Sequence, residues 1–258
     1  MGAPLGIGGL LLVLLLSWVT GVDFMSLIGA GGGPPSGSVG TTGTVNASPE
    51  EERLIDMVDN VVEDAETTWR KLLGERYQGT SVGVFRDGVQ SACGYASSAS
   101  GPFYCPADRK IYLDVSFFEE LHRRCRAPGD FAQAYVVAHE VGHHVQTVTG
   151  IEQQVRQRQA ANAGARNELS VRMELQADCF AGVWGHHAGA SSGGVDLDEG
   201  DIDEALTAAA AIGDDRIQRQ TTGRVNPESF THGSAEQRAT WFRRGFQTGD
   251  PKQCDTFQ

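Results

Sequence analysis

Two histidines, His139 and His143, bracket a glutamate in the string His139-Glu140-Val141-Gly142-His143. Side chains four apart on an α-helix differ by about 40° in direction, so both imidazoles can reach one point beside the helix. A zinc ion takes two of its ligands this way, and Glu140 stands where it can accept a proton from a metal-activated water. With 7 His and 16 Glu in 258 residues, random order would give roughly 0.01 such strings in the whole chain. The chemistry implied is zinc-assisted hydrolysis, with a peptide bond as the expected target.

A catalytic zinc takes three protein ligands and leaves one position for water. The third is expected from a downstream helix, and the best candidate is Glu174 in Glu174-Leu175-Gln176-Ala177-Asp178. Glu174 and Asp178 are four apart and share a face. Asp178 can therefore accept the N–H of a ligating histidine while Glu174 meets the metal. A solvated helix edge could carry the same two carboxylates. The apolar Phe180, Ala181, Val183 and Trp184 that follow point instead to burial, which demands a cationic partner.

The other histidines have weaker contexts. His144 points about 100° away from the metal face and is expected beside the site or on the surface. His186 and His187 close a helix, where cationic side chains suit the dipole. His122 has no informative neighbours. His232, two residues before Ser234, has two readings: an oxyanion stabiliser at the open coordination position, or a hydrogen-bond partner for the start of the helix that Ser234 caps.

The elements that must position these side chains are mostly helical. Ser48-Pro49-Glu50-Glu51 reads as a cap, a proline in the first turn and acidic residues after it. Leu54, Val58, Val61, Val62, Ala65 and Trp69 continue the helix to near Gly74. Strands are expected at Ser81–Phe85 and Lys110–Leu113, and a helix from Asp114 to Arg124. The His139 helix should start at an Asp130 cap and run to Thr149. Two more follow over 152–167 and 168–188, a break at Gly193-Gly194, and another helix over 199–220. Ser234-Ala235-Glu236-Gln237 is a capping box that opens the last helix. The fold class expected is mainly α with a small β-sheet, α+β, in one folded unit over residues 50–258.

Residues 1–22 carry no charged side chain, and Leu5–Val22 is an apolar run of 18 residues, the lower limit of a membrane-spanning helix. A retained anchor over residues 1–28 is the leading reading. A cleaved secretory signal and a buried helix are the others. Residues 29–49, rich in Gly, Pro and Ser, read as a flexible linker. Anchor and signal alike place the folded part outside the cytoplasm. The net charge of −12 excludes nucleic acid as a partner, since no basic surface is available to displace phosphate counterions.

Five cysteines bear on the same question. Cys93 and Cys105, 12 apart, flank a Gly/Ser-rich turn and look like a stapled loop, worth about 3 kcal/mol on the chain-entropy estimate. Cys179 and Cys254 could tie the core to the C-terminal tail, leaving Cys125 over. Spacing does not settle the connectivity, and five buried thiols in a cytosolic protein is the other reading.

Several blocks carry a family resemblance: Gly101–Asp108, Gly129–Tyr135, Ala138–Gln146, Arg172–Gly182 and Thr231–Ser234. Together they resemble the bacterial putative neutral zinc metallopeptidase family over about residues 50–258. The resemblance implies a single-pass, membrane-tethered bacterial protein with an extracytoplasmic, zincin-like domain, a bound Zn2+ and a peptide or protein substrate. Glu174 with Ala177-Asp178, and Thr231-His232 with Arg238, are also similar to signatures of the prenyl-protein and heat-shock membrane zinc proteases, which supports Glu174 as third ligand. The expectation is a membrane-anchored zinc metallopeptidase with Glu140 as general base. The alternatives are a catalytically idle zinc-binding module that serves in interaction or assembly, and a zinc hydrolase acting on another amide such as a cell-wall peptide.

Overall fold

The structure is a computed structural model that describes residues 47–97, 101–117, 130–188 and 199–258. The expected anchor, most of the linker, His122, Cys125 and Gly193-Gly194 lie outside the described residues. Among the described residues no helix is long and apolar enough to cross a membrane.

Helix α1 (Pro49–Leu73) begins as its sequence predicts. The Ser48 hydroxyl accepts from the Glu51 amide, and Glu51 accepts from the Ser48 amide at 2.7 Å. Pro49 is the first helical residue, as the reading of Ser48 as cap predicts. Val58, Val61, Ala65 and Trp69 form its buried stripe, which packs on α2. Beyond α1 the chain turns back because the Tyr77 hydroxyl and the Thr80 amide both donate to Glu66, at 3.1 and 2.7 Å.

The turn leads into β1 (Ser81–Phe85), β2 (Gly88–Ser91), β3 (Gly94–Ser97), β4 (Phe103–Cys105) and β5 (Lys110–Asp114). A three-stranded sheet has the order β1-β5-β4, with β1 parallel to β5 and β4 antiparallel to it. Strands β2 and β3 form a separate two-stranded hairpin. Periodicity detects β1 and β5. Strands β2 and β3 are four residues long and contain Gly and Ser, while β4 is only Phe103-Tyr104-Cys105, too short to show a period. Of the helix expected from Asp114 to Arg124, Val115–Phe117 is described and helical.

The remaining helices are α2 (Asp130–Val148), α3 (Ile151–Ala161), α4 (Arg166–His187), α5 (Glu199–Ala211), α6 (Asp214–Thr222) and α7 (Ala235–Thr248). Two breaks depart from the periodicity. At 162–165 the Asn162 side chain accepts from the Gly164 amide at 3.0 Å and sets a short 3-10 turn. At Gly213 the backbone is extended, and a Cβ there would stand 2.3 Å from the Ala235 amide nitrogen. The start of α6 is thus pressed against the start of α7, a tertiary contact that no local pattern announces.

Helix α4 is the centre of the fold, buried continuously from Leu175 to Gly185. Its backbone touches that of α7. A Cβ on Gly182 would lie 2.0 Å from the Phe242 carbonyl oxygen, and one on Gly245 would lie 1.9 Å from that of Cys179. Glycine on both helices makes this approach possible. Both expected disulfides are present, Cys93–Cys105 and Cys179–Cys254. The second ties the C-terminal turn to α4.

Candidate metal centre

Helices α2 and α4 pack so that His139, His143 and Glu174 converge. The Nε2 atoms of His139 and His143 lie 3.2 and 3.5 Å from the two oxygens of Glu174, and one ligand atom from each residue falls within 4.8 Å of the others. Bonds near 2 Å in tetrahedral array put ligand atoms about 3.3 Å apart, so the spacing suits one ion. The two rings are nearly perpendicular, at 88°. The helical spacing accounts for the imidazole pair. The arrival of Glu174 depends on how the two helices pack.

A buried network orients each ligand. Asp178, fully buried, accepts from Tyr135 Oη at 2.5 Å, His139 Nδ1 at 2.9 Å, and Arg238 Nε and Nη2 at 2.8 and 2.9 Å. Burial raises its pKa, but Arg238 and His139 outweigh that and bring it to about 2. Asp178 is therefore ionised, and His139 carries its proton on Nδ1. Nε2 faces Glu174 and would give up its own proton to present a lone pair if a metal were bound there. His143 is fixed in the same way: Nδ1 donates to Gln146 Oε1 at 2.9 Å. Gln146 in turn donates to the Met173 carbonyl at 2.8 Å and to Gln176 at 3.1 Å.

The electrostatics call for a cation. Burial pushes the His139 imidazole down, yet Asp178 and Glu174 prevail and lift its pKa to about 9. His143 is also raised against burial, chiefly by Glu174. Burial pushes the Glu174 carboxyl up, while His143 and His139 hold it well below the usual carboxylate range. Carboxylates closing around two imidazole nitrogens form a site in which one added positive charge is stabilised from several sides. Two imidazoles and a carboxylate, each imidazole with its far nitrogen engaged, are the donor chemistry of a catalytic zinc.

Glu140, nearly buried on α2, lines a cleft of about 630 Å³ together with the three candidate ligands, His232 and Arg238. His232 does not bond the start of α7, where Ser234 and Gln237 make their own capping box. Its Nδ1 donates to Asp214 Oδ1 at 3.2 Å. The other oxygen of Asp214 accepts the amides of Thr231, His232 and Gly233 at 2.7, 2.7 and 3.1 Å. Burial lowers the His232 pKa, but Asp214 and Glu174 raise it more.

The other described histidines, His144, His186 and His187, make hydrogen bonds away from the three candidate ligands. His144 is fully buried rather than at the surface: Nε2 donates to the Gln78 carbonyl at 2.5 Å and Nδ1 pairs with Tyr104 Oη at 3.0 Å. His186 and His187 donate across to the Phe246 and Gly249 carbonyls, at 2.6 and 2.9 Å. They secure the end of α7 instead of capping their own helix.

Sequence reasoning passed over Gln146, Tyr135 and Asp214. Gln146 was detectable, three residues past His143 and so on the same face. Tyr135 precedes His139 by four and had the same signal. Asp214 had none, because its role rests on the tertiary contact at Gly213.

Known proteins bear on the same residues. The chain is 48% identical over 260 residues to an uncharacterized protein of Escherichia coli K12, YpfJ, covering 98% of this chain and 88% of that one. It is 50% identical over 200 residues to an uncharacterized protein of Mycobacterium tuberculosis H37Rv, covering 74% of this chain and 67% of the other. No solved structure gives a significant match. The family described as putative neutral zinc metallopeptidase matches residues 1–257, and the chain belongs to that family.

Proposed function

We propose that this protein is a membrane-tethered zinc metallopeptidase that hydrolyses peptide bonds, with the metal held by His139, His143 and Glu174. The observation that carries the reading is the meeting of these three ligands from two helices within a cleft that also presents Glu140. Zinc bound there would polarise the scissile carbonyl and acidify a water. Glu140 takes the proton of that water and passes it to the leaving amine. His232, its Nδ1 engaged by Asp214, has Nε2 available to hydrogen-bond the oxygen that gains charge. Asp178 and Gln146 keep the two ligating rings in the tautomers the metal needs. The apolar segment over residues 1–28 supplies a single membrane pass and places the folded part outside the cytoplasm. Two disulfides support that compartment.

The test is cleavage of a mixed peptide library by the zinc-loaded full-length chain. Cut peptides support the reading, and their absence favours a zinc-binding module without activity. Glu140→Gln is expected to keep the bound zinc, measured by metal analysis, while cleavage falls by at least about 100-fold. Full activity in that variant excludes Glu140 as the base.

A further inference from the structure

Tyr95 is the most exposed large apolar side chain among the described residues, at 72%. It lines the same cleft as Glu140 and the ligands. Its position is set by the hairpin that carries it. Tyr95 stands on β3 and the hydroxyl end of its ring meets Gly88 of β2, where a Cβ would come within 2.2 Å of the hydroxyl. The far end of the ring is thus placed by its own hairpin before any substrate arrives.

The hairpin joins no larger sheet, and an isolated pair of strands has little stability of its own. Val89 of β2 packs against the cluster of Phe85, Cys105 and Tyr112, and two further links tie the hairpin to the fold among the described residues. The Ala92 amide donates to Asp108 at 3.1 Å, and Cys93, itself a lining residue, is bonded to Cys105 of β4. Cys105 is fully buried beside a small aromatic cluster. There Phe103 stacks on Tyr112 at 5.1 Å and meets Phe85 edge-on. Pro102, Phe103 and Phe117 add apolar lining to the same cleft.

From this we propose that the stapled hairpin is the wall that recognises substrate side chains. Tyr95 is the contact that selects a large apolar or aromatic residue of the peptide, and the Cys93–Cys105 bridge holds that contact in place. The proposal rests on the peptidase reading and names the class of peptide that the site prefers. A preorganised exposed aromatic loses little freedom when a second apolar group covers it.

The test separates binding from chemistry. Labelled library peptides in matched pairs, with Phe or Ala at one position, are titrated against the zinc-loaded full-length Glu140→Gln protein by fluorescence anisotropy. The Phe members are expected to bind more tightly. Adding Tyr95→Ala should weaken them roughly five- to tenfold and leave the Ala members nearly unchanged, with zinc content constant. Tyr95→Phe should keep the preference. Cys93→Ala with Cys105→Ala should lose it as Tyr95→Ala does. Equal binding of the Phe members before and after Tyr95→Ala, equal weakening of both members, or no peptide binding at all overturns the proposal. Wild-type protein that cuts peptides without any Tyr95 dependence sinks only the wall. A Tyr95-dependent preference in a protein that cuts nothing sinks only the peptidase reading.

Discussion

On the helical side of the cleft Asp178 is fully buried with four hydrogen bonds on it, while on the hairpin side Tyr95 is 72% exposed and its strands join no larger sheet. The helices α2, α4 and α7 meet through charged groups that have no water to fall back on. Removing one partner there leaves another buried and uncompensated. The hairpin is held by a covalent bond, the Ala92–Asp108 hydrogen bond and the packing of Val89, and its most prominent side chain faces solvent. The candidate ligands and the proposed substrate contact thus sit on parts of the molecule with different tolerance to change. A side that holds an ion has to be rigid, whereas the exposed Tyr95 side chain can change with little loss of folding stability.

The comparison can be broken most severely at the α4–α7 contact. Arg238→Met should cost about 3–5 kcal/mol in chemical denaturation, because Asp178 would stay buried without its cation. A loss below about 1 kcal/mol would mean that the network is less committed than its geometry indicates. The two disulfides sharpen the contrast. Opening Cys179–Cys254, which closes a span of 75 residues, should cost about 4–5 kcal/mol, against about 3 kcal/mol for Cys93–Cys105. Melting of the two double Cys→Ala variants checks the order, and the reverse order would place the hairpin, not the C-terminal turn, at the centre of stability. Gln146→Ala should weaken zinc binding by about 10-fold, since His143 would lose the partner that fixes its ring. Competition with a chelator of known affinity measures this, and an unchanged constant would assign Gln146 to packing alone. The smallest effect is that of Tyr95→Ala on folding, expected within about 0.5 kcal/mol.

Legibility in the sequence followed the range of the interaction. Helix α1 and the start of α7 matched the caps expected at Ser48 and Ser234 because a capping box is a matter of four consecutive residues. The joined helix expected over 199–220 failed at Gly213, whose extended backbone answers to Ala235, far along the chain. His232 shows the same limit. Its neighbours left two readings, an oxyanion stabiliser and a partner for the helix start, and only the fold shows its ring held by Asp214 on another helix and lining the cleft. The cysteine pairs were suggested by spacing, yet only the Cα separations of 5.8 and 5.6 Å bring the sulfurs together.

The sequence alone determined that His139 and His143 share a face with Glu140 between them, because the pitch of one helix suffices for that. Tertiary structure decided that Glu174 meets the imidazole pair, that Asp178 and Arg238 neutralise each other beneath it, and that a stapled hairpin lines the same cleft. Each of these depends on where separate elements cross, and crossing is settled by the packing of the whole core, which no local spacing encodes.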